Sequence, residues 1–299
     1  MPARACEFNS RLGHHGYNRT SATVWRGSCR VSGASCRVTP ASGALPSQGD
    51  HTAILDAWSD KGDRVIRFVA IEVGDGAPLG CARCGASATP IYHPTDVVVA
   101  RITAEADAWQ SVPGPNVVLT GPEPFAHPAL PELVSACVDA GFERIAIETD
   151  GRALATPAHA TGALGAGVNH LYVRLLAAEE GRADALSGRP GLGTAVAVGI
   201  AAYRDGATRA GVTAVVTVVV PVCRHTIESL PSTIARLAAW EVDAVRLVKG
   251  GDLSSSSATL LAAACDTGMV NRVWVEADPS LGLPESHALH ETPNPGGER

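Results

Sequence analysis

Aromatic side chains are scarce in this chain of 299 residues, only 4% of the total. With so few rings, Ala, Val and Leu must do most of the packing, and at 45% apolar residues they suffice for a substantial core. A large excess of one charge is also missing. The formal net charge of −6 gives no reason to expect nucleic acid or an anionic membrane as partner. Long apolar runs are absent too. The longest, VTAVVTVVVPV (Val212–Val222), is too short to span a bilayer and reads as a buried strand. No stretch near the N-terminus has a basic start followed by an apolar run, so no secretory signal is expected. The eight cysteines are then expected to be free thiols of a reducing, cytoplasmic environment. Of these, Cys137, Cys223 and Cys265 sit in apolar helix or strand contexts and read as small core filler.

What is present is a change of pattern along the chain. Residues 1–60 are rich in Ser, Gly, Arg and Pro without a sustained apolar period, which predicts a flexible N-terminal extension. From Arg64 onward strand-like and helix-like segments alternate. RVIRFVAIEV, NVVLTG, RIAIETDG, NHLYVRLL, VTAVVTVVVPV, VDAVRLVKG and RVWVEAD read as strands. DVVVARITAEADAWQSV, LPELVSACVDAG, TAVAVGIAAYRDGA, TIESLPSTIARLAAW and SATLLAAACDTG read as helices. Such alternation argues for parallel strands with right-handed crossovers. The predicted fold class is α/β, a partial (β/α) barrel over 61–280 with outer helices, followed by a disordered tail over 281–299. In such barrels the chemistry sits on loops at the strand C-termini. GDGAPLGCARCGAS, TGPEP and ETDG follow the first three strands of the barrel and so share that face.

Several side chains on those loops are candidates for chemistry. Cys81 and Cys84 form a C-x-x-C, which admits a metal-cluster loop, half a zinc site, a redox pair or two ordinary thiols. Zinc usually takes four ligands, and no second C-x-x-C or H-x-x-x-H follows. A redox pair calls for a helix N-terminus to lower a thiol pKa. Glu123, at a strand end, reads as a ligand-binding carboxylate or as the cap of the following helix. Glu148 and Asp150 point to the same face by strand alternation, which admits a carboxylate pair for acid–base work. Asp150 before Gly151 also has the makings of a turn-stabilising residue. His127 reads as a helix-entry residue and His170 as a satisfied, partly buried histidine.

Taken together and in order, these segments resemble the radical S-adenosylmethionine (SAM) superfamily. In that family the loop after the first strand carries C-x-x-x-C-x-x-C, the next strand ends in Gly-Gly-Glu-Pro before a His-Pro-x-L helix start, and Thr-Asn-Gly often follows the third. TGPEPFAHPALPELVSACVDAGF, ETDG and DALSGRPGLGTAVAVGIAAYRDG stand at the corresponding places. The resemblance implies a 4Fe-4S cluster with one iron open to the amino and carboxylate groups of SAM. Carried over residue by residue, it implies Cys81 and Cys84 as cluster ligands. It also implies Gly121, Glu123, Pro124, Asp150 and Arg174 around SAM, with Arg174 facing the SAM carboxylate, and Val220, Arg224 and Val248 lining the pocket.

The sequence departs from the family at the cofactor loops. Ala77 stands at the first cysteine position, Pro122 at the second Gly and Arg174 on the fourth strand. These departures predict a degenerate member that either has weakened or lost radical chemistry or acts beside an active partner subunit. One alternative is an active enzyme whose cluster takes a third ligand from Asp75, Cys29, Cys36 or another chain. The other is a metal-independent barrel hydrolase or lyase using Glu123, Glu148 or Asp150. The expected substrate is a small molecule or a peptide.

Overall fold

The structure is a computed structural model that describes residues 53–58, 65–75, 90–109, 115–251, 253, 257–278 and 281. In chain order the strands and helices are β1 (Ala53–Trp58), β2 (Val65–Glu72), β3 (Gly74–Asp75), β4 (Ile91–Tyr92), α1 (Thr95–Trp109), β5 (Asn116–Thr120), α2 (Leu130–Asp139), β6 (Arg144–Thr149), α3 (Pro157–Ala166) and β7 (His170–Arg174). They continue with α4 (Glu180–Ser187), α5 (Leu192–Ala210), β8 (Val215–Val222), α6 (Leu230–Ala239), β9 (Ala244–Lys249), α7 (Ser257–Asn271) and β10 (Trp274–Ala277).

Eight strands form one sheet in the order β1-β2-β5-β6-β7-β8-β9-β10. The seven from β2 to β10 run parallel and follow chain order. Each new strand is added on the same side of the last, with helices in the connections, which is the layout of an α/β partial barrel. The small pair β3–β4 is separate and antiparallel.

Strand parity divides the sheet into two faces. Ile71, Val117, Leu119, Ile145, Ile147, Leu171, Val173, Val218, Val220, Val245 and Leu247 join the helices in one large aliphatic cluster. Phe68, Ala70, Val118, Ala146, Tyr172, Val219 and Val248 form a second, smaller cluster on the concave face. Burying each Val, Leu or Ile of the outer layer is worth about 1.5–3 kcal/mol, so this layer holds the helices in place. Cys137, Cys223 and Cys265 are buried free thiols, and burial pushes Cys137 up to about 12 and Cys265 up to about 11.

Two departures from the sequence reading concern the periphery. β1 falls inside the 1–60 segment expected to stand apart from the barrel, yet its six residues pair antiparallel with β2, from Ala53↔Ala70 to Trp58↔Val65. AILDAW is embedded in a stretch without a sustained apolar period, and its place at the sheet edge comes from backbone pairing with β2. Helices α3 and α4 are also not foreseen from the sequence pattern. PAHATGALGA and EGRADALS are short and rich in small residues, so no apolar stripe announces them. The rest of the N-terminal segment, Ala77, Cys81, Cys84, Cys29, Cys36 and the tail beyond Leu281 lie outside the described residues.

Candidate functional site

The C-terminal ends of β5, β6 and β7 converge on one mouth of the barrel. At the end of β5 the chain turns at Gly121, whose φ is +122°. A Cβ there would lie 2.8 Å from the Gly74 carbonyl oxygen, so both the backbone angle and the close approach call for glycine. Pro122 follows, and Glu123 then caps a 3-10 turn over Pro124–Ala126. The Glu123 carboxylate accepts from Phe125 N at 3.1 Å, from Thr149 Oγ1 at 2.8 and 3.0 Å, and from Asp150 N at 2.8 Å. The capping role and the strand-end position foreseen for Glu123 thus coexist in one half-buried side chain. Burial and then the charge of Asp150 push its carboxyl up to about 8, and the three groups of hydrogen bonds act in the opposite direction. All of those donors are neutral. Among the described residues no Arg, Lys or His pairs with Glu123.

The other two carboxylates near this mouth are differently served. Glu148, on the concave face of β6, is paired with Arg174 and accepts from Thr120 Oγ1, and both ion-pair partners are almost completely buried. Asp150 accepts from Arg152 N at 3.1 Å and holds two guanidinium groups, Arg152 Nε at 2.9 Å and Arg189 Nη1 at 2.7 Å. Its bond to Arg152 N is the turn-stabilising contact read from the Asp-Gly pair. Arg189 comes from the loop between α4 and α5. Helix α5 is drawn close to this turn at Gly199, where a Cβ would stand 2.7 Å from the Gly151 carbonyl oxygen. Glu148 and Asp150 therefore do not act on each other as a carboxylate dyad, since each is committed to its own arginines. Arg174, expected to face the SAM carboxylate, has its guanidinium on Glu148.

A third set of contacts ties in β4. Tyr92 Oη donates to the Glu123 carbonyl oxygen at 3.0 Å. Its ring meets the His127 ring edge-on, centroids 5.4 Å apart. His127 Nδ1 accepts from Ala129 N at 3.1 Å, which leaves Nε2 as the donor to the His93 carbonyl at 3.2 Å. His127 is thus the helix-entry residue that its place before Pro128 suggests. Burial, with Glu123 and Asp150 next in weight, raises the Tyr92 phenol, so it stays protonated and able to donate.

Deeper in the concave face, Phe68, His170 and Tyr172 form a ring cluster. His170 and Tyr172 stack at 4.4 Å with Phe68 edge-on to both. His170 Nε2 bonds Thr217 Oγ1 at 3.1 Å, but His170 Nδ1 and Tyr172 Oη have no hydrogen-bond partner among the described residues. The histidine is only half satisfied, and burial keeps it neutral by lowering it to about 3. Val220, named as pocket lining, points outward into the helix-packed layer; its neighbour Val219 and Val248 face inward. A strand end read without its register leaves this parity undetermined. Arg224 Nε donates to His225 Nε2 at 3.0 Å.

Sequence reasoning missed Thr149, Tyr92, Thr120 and Arg189. Thr149 was in plain view within ETDG. Tyr92 carries no periodic signal, because it enters through a two-residue strand.

No group of three or more His, Cys, Asp or Glu side chains suited to a metal ion occurs among the described residues. The donor chemistry of the cysteine loop follows from its sequence: Cys81 and Cys84 offer two thiolates, and Ala77 offers no ligand atom. Two thiolates do not match the three that the resemblance calls for.

Residues 71–235 match the family model described as the radical SAM superfamily. The chain belongs to the radical SAM superfamily. A stretch of 146 residues is 27% identical to AdoMet-dependent heme synthase of Nitratidesulfovibrio vulgaris (strain Hildenborough), covering 49% of this chain and 39% of that protein. This radical SAM chain also superposes on Streptococcus suis SuiB bound to precursor peptide SuiA, with a TM-score of 0.52 and 11% identity over 73% of this chain and 52% of that one. Native anSMEcpe with bound AdoMet and Cp18Cys peptide gives a TM-score of 0.52 at 12% identity, over 69% of this chain and 62% of the other. At these identities the structural likeness is one of fold. The chain spans less than half the length of the curated relative and under two thirds of these two solved chains. No helix among the described residues is long and apolar enough to cross a membrane.

Proposed function

We propose that this radical SAM superfamily chain binds SAM at the mouth of its barrel, with Glu123 receiving the methionine ammonium. The observation that carries this reading is the asymmetry of the three carboxylates. Glu148 and Asp150 hold arginines, whereas among the described residues Glu123 is held only by neutral donors and meets no cation. A ligand ammonium supplies that cation, and the strand-end amides and Thr149 already orient the carboxylate to meet it. Gly121 and Pro124 shape the turn, and Asp150 contributes its backbone N–H and its charge. Arg174 reaches a SAM carboxylate only by sharing or leaving Glu148. When bound, SAM supplies a sulfonium whose C–S bond this family cleaves reductively.

The loop with Ala77, Cys81 and Cys84 supports a degenerate member of the family, with radical chemistry weakened or lost and a role beside an active partner subunit. The ligand class for such a pair is a small molecule or a peptide; SuiB, of the same fold, is bound to a precursor peptide.

Two measurements test this. Calorimetry with SAM is expected to show binding to the wild-type protein and none to Glu123→Ala; no heat with wild-type protein at millimolar SAM overturns the site. Anaerobic reconstitution is expected to leave the wild-type chain well under the ~4 iron atoms of a full cluster, and Ala77→Cys to raise iron and sulfide together. A full cluster on the wild-type chain overturns degeneracy and favours a third ligand from elsewhere.

A further inference from the structure

The Glu123 peptide is as firmly held as its carboxylate. Its carbonyl oxygen accepts from two donors, Tyr92 Oη at 3.0 Å and Ala126 N at 2.9 Å. A carbonyl oxygen has two lone pairs, so both are taken and only the side chain is left to meet a ligand cation. The Tyr92 hydroxyl does not arrive by chance. Tyr92 is registered against Gly74, which directly follows β2 through Val73, and Val73 N donates to the Thr120 carbonyl at 2.8 Å. His93 N donates to the Val73 carbonyl at 3.0 Å, while the His93 carbonyl accepts from His127, the residue that ends the turn capped by Glu123. Tyr92 is therefore pinned on both sides, by backbone pairing and by the edge of the His127 ring.

We propose that Tyr92 is a positioning residue for the cation site: by donating to the Glu123 carbonyl it fixes that peptide and so aims the carboxylate at the ammonium group of the ligand. This rests on the reading that Glu123 receives the SAM ammonium. Tyr92 has no role in that site as a ligand; it acts through Glu123. Without its hydroxyl the turn from Gly121 to Pro124 keeps the Ala126 bond alone, and the extended Glu123 backbone gains freedom to rotate its carboxylate away from Thr149.

The test compares two probes, SAM and its analogue lacking the α-amino group, by calorimetry on the full chain. Tyr92→Phe keeps the ring against His127 and removes only the hydroxyl. It is expected to weaken SAM about 3- to 10-fold, the scale of one hydrogen bond, and to leave the deaminated analogue unchanged. His127→Asn, which removes the ring edge that seats Tyr92, is expected to give a smaller loss with the same selectivity and serves if Tyr92→Phe does not fold. Equal affinity of wild-type and Tyr92→Phe for SAM overturns the positioning role, as does an equal loss for both probes, which marks a purely structural effect. Wild-type protein that binds SAM no better than the deaminated analogue instead overturns the ammonium reading of Glu123 and the Tyr92 proposal with it.

Discussion

Glu123 and Glu148 sit on neighbouring parts of the same barrel mouth, one just past the end of β5 and the other near the end of β6, yet they are held in opposite ways. Glu148 is buried and neutralised by Arg174, with Thr120 taking a further lone pair. Glu123 is half-buried and, among the described residues, receives backbone amides and a hydroxyl but no positive charge. The difference separates a carboxylate whose environment is complete within the chain from one whose environment is completed from outside. A buried ion pair is costly to dismantle on one side, because the remaining charge is stranded in low dielectric. At Glu123 the neutral donors fix the geometry without supplying a charge, so burial and Asp150 still raise the carboxyl, and that makes it responsive to pH and to an arriving cation.

The comparison breaks most severely at Arg174. Arg174→Met strands Glu148 and is expected to cost about 3–5 kcal/mol of folding stability, measured by urea denaturation. The double variant Arg174→Met/Glu148→Leu is expected to recover most of that loss. If Arg174→Met is as stable as wild type, Glu148 is not the closed half of the contrast. Glu123→Gln probes the open half. It keeps the shape and removes the charge, so it is expected to weaken SAM about 10- to 100-fold while leaving the fold intact, since loss of a charged acceptor removes about 1.5–3 kcal/mol.

Acidity sharpens the contrast further. The folded chain holds the Glu123 proton more tightly than the unfolded chain does. Its stabilising contribution is therefore whole below the ordinary carboxyl range, declines as pH rises toward about 8, and is lost above that. Thermal unfolding scanned from pH 5 to 9 is expected to show a downward slope that Glu123→Gln removes; an unchanged slope in the variant assigns it to other groups. SAM binding near pH 7 is expected to release roughly one proton, read from buffers of different ionisation enthalpy, because the ammonium replaces the proton on Glu123. Thr149→Val gives the smallest effect. It deletes the hydroxyl that bonds both Glu123 oxygens and also accepts from Gly151 N, so about 1 kcal/mol of stability is expected to go and the pH midpoint to move higher. A midpoint that stays or falls removes Thr149 from the site.

The alternation of Val-rich runs with helical segments determined the seven parallel strands from β2 to β10 and five of the helices, because period and burial are written locally. Turn chemistry likewise placed Gly121, Glu123 and Asp150 at strand ends, and the order of these segments pointed to the superfamily that the family match establishes. Two thiols and the alanine between residues 75 and 91 are likewise a matter of sequence alone. Tertiary structure alone decided which carboxylate is open. Arg174 is two strands' worth of chain away from Thr120 and pairs with Glu148 only because β5, β6 and β7 lie side by side in register. Tyr92 reaches Glu123 across 31 residues through a strand of two. Such contacts leave no period in the sequence, since they depend on the closing of the sheet and on the distance between side chains that folding brings together.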